Sequence, residues 1–308
     1  LGCPDWPGCY GHLDVFKAIH HVENVNQADP GSLPPAMKTV PEMVHRYFAS
    51  SLGFLILIIA GLAWNNRKRD GQPLLLPSLL VALVIFQGML GMWTVTLGLQ
   101  PIIVTLHLLG GFSTVTLLVL YAAQLFRWPA FSAPQSLRGI KPLASLTLLA
   151  LISQIFLGGW TASNYAAVAC TDLPICQAGW EQKLDFSQAF TLWQTTDRAN
   201  FEYGVLDNAA RTTIHVVHRF GAITVFVLML LLCLDILRRS RTTFFRRFSG
   251  VLALLLLLQI SLGVSNIVFH VPLDIAVAHN FGALILLNAL VLFLYACCNH
   301  RSPLEESR

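Results

Sequence analysis

Charge is what this chain has least of. Only 12% of its 308 residues are Asp, Glu, Lys or Arg, while 55% are hydrophobic. A soluble domain carries about twice that charged fraction, so a conventional water-soluble globule is excluded. No low-complexity tract and no separate soluble domain interrupts the sequence, and no signal peptide is visible. The net charge of +4 comes from short connecting segments, and nucleic acid is not an expected partner.

What remains is a series of apolar runs, each of about 20 residues, enough to cross a hydrocarbon core as a helix. Seven are predicted: Val44–Trp64, Pro77–Leu97, Thr105–Phe126, Leu143–Ser163, Ile214–Leu237, Phe248–Val268 and Ala276–Cys297. Lys and Arg divide unevenly between the connections. Segments 65–76, 127–142, 238–247 and 299–308 hold thirteen, whereas 1–43, 98–104, 164–213 and 269–275 hold five. By the positive-inside rule the first set is cytoplasmic and anchors on anionic lipid. The expected localisation is therefore a plasma (inner) membrane, crossed many times, with the C-terminus cytoplasmic and the long loops outside.

The chain repeats itself. Cys3-Pro-Asp-Trp-Pro-Gly-Cys9 and Cys170-Thr-Asp-Leu-Pro-Ile-Cys176 both read C-x-D-x-P-x-C. Each is followed some forty residues later by a His-Arg pair, His45-Arg46 and His218-Arg219, and about sixty residues further on by a lone histidine, His107 and His279. Gln87-x-x-Leu90-Gly91 and Gln259-x-x-Leu262-Gly263 each lie 20 residues before their histidine, and Gln154-x-x-Leu157-Gly158 precedes the second Cys phrase. Symmetry on this scale marks a two-half membrane bundle. The halves are expected at 1–142 and 143–308. The second half has a helix before its Cys phrase and the first half has none, so an eighth helix preceding Leu1 is expected. The fold class is thus an all-α membrane protein of duplicated four-helix-bundle halves, with seven helices visible and eight expected.

His45, His107, His218 and His279 are each expected within the first few residues of a helix that enters from the outside. At 1.5 Å rise per residue they lie at one depth. Two imidazoles from facing helices, twice over, are what two iron porphyrins require, and bis-His ligation leaves no open position on the metal. Arg46 and Arg219 either fork onto haem propionates or snorkel to the surface. The halves differ one turn earlier, where Glu42 stands before His45 and His215 before His218. The i, i+3 spacing places each on its histidine's face. A carboxylate there would act as acid or base or stabilise a cation. His215 would tune a bound cofactor or relay protons to it. This asymmetry assigns chemistry to the first half and a permanent cofactor to the second.

Each Cys pair is open to three readings: a structural disulfide, a redox pair, or a metal site, for which no further ligands share the spacing. Cys233, Cys297 and Cys298 read as small buried hydrophobes. Residues 10–41, with His12, His20, His21 and Pro34-Pro35, read as an irregular outside loop. Residues 177–213 form its longer counterpart, with Trp180 and Trp193 as interfacial anchors. His270 and His300 read as solvated.

On the Cys3–Cys9 phrase, Glu42-Met-Val-His45-Arg46, His107-Leu-Leu-Gly-Gly, His215-Val-Val-His218-Arg219 and His279-Asn-Phe-Gly, the chain resembles haem A synthases of the proteobacterial and mitochondrial type, over essentially its whole length. The resemblance implies eight transmembrane helices in two pseudo-symmetric halves. It implies oxidation of a ring methyl of haem O to a formyl group by successive hydroxylations, giving haem A for terminal oxidases. It implies that His218 and His279 hold a haem b cofactor and that His45 and His107 embrace the substrate haem. Glu42 would assist the methyl oxidation, and Cys3–Cys9 and Cys170–Cys176 match the family's outer-loop cysteines. Haem O synthase, the cytochrome oxidase assembly machinery and membrane lipid are the implied partners, with a homo-oligomer left open. The farnesyl tail of haem O would lie in lipid or between apolar helices.

Other classes compete. A di-haem b-type electron carrier would hold two permanent haems and has no need of Glu42 in one half only. A haem or metal transporter would place its ligands at mid-membrane. A scaffold with merely interfacial histidines would show no Soret band.

Overall fold

A computed structural model describes residues 1–29, 31, 36–126 and 133–298. The Pro34-Pro35 pair and His300 lie outside the described residues. Nine α-helices occur among them: α1 (Val15–Ala28), α2 (Ala36–Asn65), α3 (Leu75–Thr96), α4 (Pro101–Phe126), α5 (Lys141–Ser163), α6 (Phe186–Ala189), α7 (Asn208–Arg239), α8 (Thr243–Val268) and α9 (Leu273–Cys298). Seven, all but α1 and α6, are long and apolar enough to cross a membrane, and the described chain is all-α. It is a multi-pass membrane protein.

The spans end within two residues of the sequence expectation but begin earlier. α2 starts at Ala36 rather than Val44, and α7 at Asn208 rather than Ile214. The added turns carry polar residues that depress hydropathy yet cap and extend a helix well. The Asp207 carboxylate accepts from Ala210 N at 2.8 Å and so starts α7. Pro41 sits in the second turn of α2, where its missing N–H leaves the Met37 carbonyl without its helical donor. The four histidines therefore lie two to three turns into their helices, not in the first few residues: tenth in α2, seventh in α4, eleventh in α7 and seventh in α9.

The 10–41 stretch is not wholly irregular. Asp14 caps α1 by accepting from Phe16 N at 2.8 Å, and α1 buries Ala18 and Val22. Ala18 packs with Cys3, Cys9 and Met43, flanked by Tyr10 and Val15. The 177–213 stretch likewise holds a 3₁₀ turn at Trp180–Lys183 and the one-turn helix α6, capped by Asp185 accepting from Gln188 N at 3.0 Å. Trp180 lies tilted against Phe220 with ring centroids 6.3 Å apart, while Trp193 is exposed. Cys233 and Cys297 are buried as expected, but Cys298, on the last turn of α9, is exposed. His270 is exposed at the α8–α9 turn.

Two compact units form. The first comprises Leu1–Thr114 and Leu192–Val205; the second comprises Val115–Thr191 and the described residues from Leu206 onward. In the first, α1 lies on α2, and α2 packs antiparallel to α3. Segment Leu192–Val205 is fastened to this unit by Lys38 Nζ to Glu202 at 2.7 Å, by Gln100 Nε2 to the Gln194 carbonyl at 2.8 Å and by Phe201 N to the Gly98 carbonyl at 2.8 Å. Gly98 has φ +58, and a Cβ there would lie 3.1 Å from Asn200, so the close approach requires glycine.

In the second unit α5, α7, α8 and α9 close a four-helix bundle. Its core is Trp160, Ile214, Met229, Leu232, Ile236, Leu252, Leu290 and Phe293, each with at most 1% of its surface exposed. Trp160 Nε1 donates to the Ala189 carbonyl at 2.9 Å, tying α5 to α6. In lipid, tail burial gives helices little reason to associate. Close packing at small residues and interhelical hydrogen bonds hold them together instead.

Candidate haem-binding sites

Each unit builds one site from a Cys loop, an arginine and two histidines. In the first unit Cys3 and Cys9 form a disulfide. The Asp5 carboxylate shapes the turn by accepting from Tyr10 N at 2.6 Å and Gly11 N at 2.9 Å. Arg46, on α2, is the staple. Its Nη1 donates to the carbonyls of Asp5 at 3.0 Å, Pro7 at 3.2 Å and Gly8. Its Nη2 donates to Glu42 Oε1 at 2.7 Å. The other Glu42 oxygen accepts from Gly2 N at 2.9 Å and Cys3 N at 3.1 Å. Thr39 Oγ1 donates to the Gly2 carbonyl at 3.1 Å, and a Cβ on Gly2 would strike the Lys38 carbonyl, so this backbone needs glycine to reach Glu42. The Tyr10 phenol beside it is pushed above its ordinary range, chiefly by burial and then by the Glu42 charge.

The second unit repeats the staple in register. Cys170 and Cys176 form a disulfide. Arg219 Nη1 donates to Asp172 O at 2.6 Å, Pro174 O at 3.4 Å and Ile175 O, and its Nη2 donates to Cys170 O at 2.6 Å. The three Nη1 acceptors occupy the same positions of C-x-D-x-P-x-C as in the first loop. Both guanidiniums are thus spent on loop carbonyls rather than pointing into solvent. In the slot of Glu42, His215 is buried and its Nδ1 lies 3.0 Å from the Ala166 carbonyl.

The histidines fall into two pairs. His45 and His107 face each other edge to face with ring centroids 6.2 Å apart. His218, on α7, and His279, on α9, belong to the same four-helix bundle. Nδ1 of His107 and Nδ1 of His279 are buried with no hydrogen-bond partner among the described residues. Among those residues no group of three or more His, Cys, Asp or Glu could hold a bare metal ion. Imidazoles in twos, one of each pair with an unpaired ring nitrogen, fit the axial positions of a porphyrin iron, whose other four ligands come from the ring.

The structure brings Glu42, Arg46 and the first Cys loop into contact and sets His218 and His279 in one bundle; the sequence pattern assigns each group to one half. That pattern gave no role to Gln87, Gln154 or Gln259. Yet each faces one of these histidines: Gln87 Nε2 reaches His107 O at 3.2 Å, Gln154 Nε2 reaches His218 O at 2.9 Å, and Gln259 Nε2 lies 3.4 Å from His279 Nε2. The signal that could have found them was the threefold Gln-x-x-Leu-Gly repeat.

Fold and site define a class: a polytopic helical membrane protein with duplicated, disulfide-capped histidine pairs. Residues 1–291 match the COX15-CtaA profile of cytochrome oxidase assembly proteins, and the chain belongs to that family. It is 47% identical over 295 residues to a haem A synthase of Shewanella oneidensis, covering 96% of this chain and 87% of that protein. Haem A synthases of Brucella anthropi and Brucella ovis are each 27% identical, over 89% and 93% of this chain and 75% and 81% of theirs.

Proposed function

We propose that this protein is a haem A synthase, an oxidoreductase that converts a ring methyl of haem O to the formyl group of haem A by successive hydroxylations. His45 and His107 would hold the substrate haem in the N-terminal half (1–142). His218 and His279 would hold haem b in the C-terminal half (143–308). Bound there, haem b supplies one-electron chemistry. The observation that carries the proposal is the Glu42–His215 difference. One copy of the repeat puts a carboxylate, fixed by two backbone N–H groups and Arg46, one turn before its histidine. The other copy puts an imidazole held by a backbone carbonyl in the same place.

Glu42 is the catalytic residue in this reading. Oxidising the methyl carbon develops positive charge conjugated with the ring, and a preorganised carboxylate stabilises that charge where it forms. Its three donors hold it stationary, so it need not reorganise as charge develops. Arg46 and Arg219 hold the Cys loops in place, and either could meet a haem propionate only by exchanging loop carbonyls for carboxylate oxygens. His215 tunes the haem b site. The distribution of Lys and Arg supports a bacterial inner-membrane location with both Cys loops outside and the C-terminus cytoplasmic. Haem O synthase would supply the substrate, and the cytochrome oxidase assembly machinery would take the product.

Pigment extraction from cells carrying the full-length protein tests this. Wild type should accumulate haem A. Glu42→Ala should keep haem b and stall at haem O or a hydroxylated intermediate, with haem A down about 10²-fold or more. Equal haem A from both would remove Glu42 from the mechanism.

A further inference from the structure

The Gln-x-x-Leu-Gly repeat packs against a histidine helix three times. Its glutamine sits opposite a histidine and the glycine three residues beyond it, and its own glycine sits against the imidazole. A methyl on Gly91 would lie 3.4 Å from His107 Cε1, one on Gly158 3.3 Å from His218 Cε1, and one on Gly263 3.2 Å from His279 Cε1. On the histidine helices, a Cβ at Gly110, Gly221 or Gly282 would collide with the amide of Gln87, Gln154 or Gln259 respectively. The ring edge therefore fills the hole over one glycine while the amide fills the hole over the other. Close helix packing explains small residues. It does not explain why an amide is placed there each time. Gln154 Nε2 lies 3.0 Å from His218 Nδ1 and 2.9 Å from the His218 carbonyl. The Oε1 atoms of Gln154 and Gln259 are buried with no partner among the described residues. A leucine would fill the same space without that desolvation cost.

We propose that Gln154 with Gly158, Gln259 with Gly263 and Gln87 with Gly91 are positioning residues that fix the rotation of the His218, His279 and His107 rings about their Cβ–Cγ bonds. The clasp sets the plane of each ring; at His218 the amide also faces Nδ1 and at His279 it faces Nε2, whereas Gln87 reaches only the His107 carbonyl. Groups around a ligating imidazole set its orientation and basicity, and with them the potential of the metal. This inference rests on the reading of these histidines as axial ligands.

The test uses purified full-length protein carrying its haem. It reads the low-field g value of the ferric low-spin signal and the midpoint potential. His218→Ala should abolish the six-coordinate haem b signal. Gln154→Leu and Gly158→Ala should retain haem but shift both the g value and the potential, while Gln154→Asn should move both back toward wild type. Gly250→Ala, on α8 with nothing within 4 Å of its added methyl, should change neither. Wild-type g value and potential in Gln154→Leu and Gly158→Ala would overturn the clasp while leaving the ligand assignment intact. An unchanged signal in His218→Ala would instead overturn the ligand assignment and the clasp with it. Should Gly158→Ala not accumulate, Gln154→Leu decides, since it removes the amide without adding bulk.

Discussion

Arg46 donates to the Glu42 carboxylate at 2.7 Å through one terminal nitrogen and to the Asp5 carbonyl at 3.0 Å through the other. A single guanidinium thereby connects the catalytic candidate to the disulfide loop above it. Only a planar fork can serve both sides at once.

Arg46→Lys should keep the charge and lose the fork. A lysine ammonium can satisfy either Glu42 or the loop carbonyls, not both. Losing one charge-assisted hydrogen bond of roughly 1.5–3 kcal/mol predicts haem A yield down by about tenfold or more. The haem A to haem O ratio in pigment extracts measures it.

The two disulfides should differ in what their loss does. Glu42 takes two donors from Gly2 and Cys3, so Cys3→Ser with Cys9→Ser should lower both thermal stability and haem A yield. His215 is held by Ala166, outside its Cys loop. Cys170→Ser with Cys176→Ser should therefore lower stability, by up to about 2 kcal/mol for so short a loop, and spare Glu42. Thermal unfolding and pigment ratios measured on both double variants separate the two effects.

Trp160→Phe should leave the Ala189 carbonyl without the donor that now reaches it at 2.9 Å. An unsatisfied buried acceptor costs about 1–3 kcal/mol. The expected result is a lower unfolding temperature and faster amide exchange across α6 and the start of α7.

The Lys38–Glu202 pair should give segment Leu192–Val205 an acid-sensitive anchor. The Lys38 ammonium holds the Glu202 carboxyl below its ordinary value of 4.5. A depressed folded value means the contribution is complete above about pH 4.5 and fades as pH falls through the folded value. Amide exchange at Phe201 and Gly204 should rise as pH is lowered across that range, after correction for intrinsic exchange rates. In Lys38→Met that dependence should flatten.

Much of this molecule is readable from its residues. The apolar runs determined seven spans, because a 20-residue stretch without charge has few stable homes outside a bilayer. The C-terminal ends of those spans came out within two residues, since hydropathy falls abruptly there. Five of the seven helix starts did not, because polar residues such as Glu42, Arg211 and Arg246 stand in helices that begin before the apolar run. Helix α1 escaped notice for a related reason. Its helical register shows only once Ala18 has the Cys3–Cys9 loop and Met43 to pack against.

The repeats also announced where chemistry-bearing side chains recur: four histidines, two arginines and the Glu42–His215 difference, each at matched spacing. What the arginines hold could not be read from spacing. A guanidinium beside an imidazole suits a propionate, a surface or a carbonyl equally well. The choice was made by loop carbonyls that converge only after C-x-D-x-P-x-C has closed its ring. The same holds for Gln87, Gln154 and Gln259. Sequence by itself determined that they repeat, because repetition is a property of order along the chain. Only the tertiary structure decided that they meet histidines, because that contact depends on two helices approaching closely over glycine.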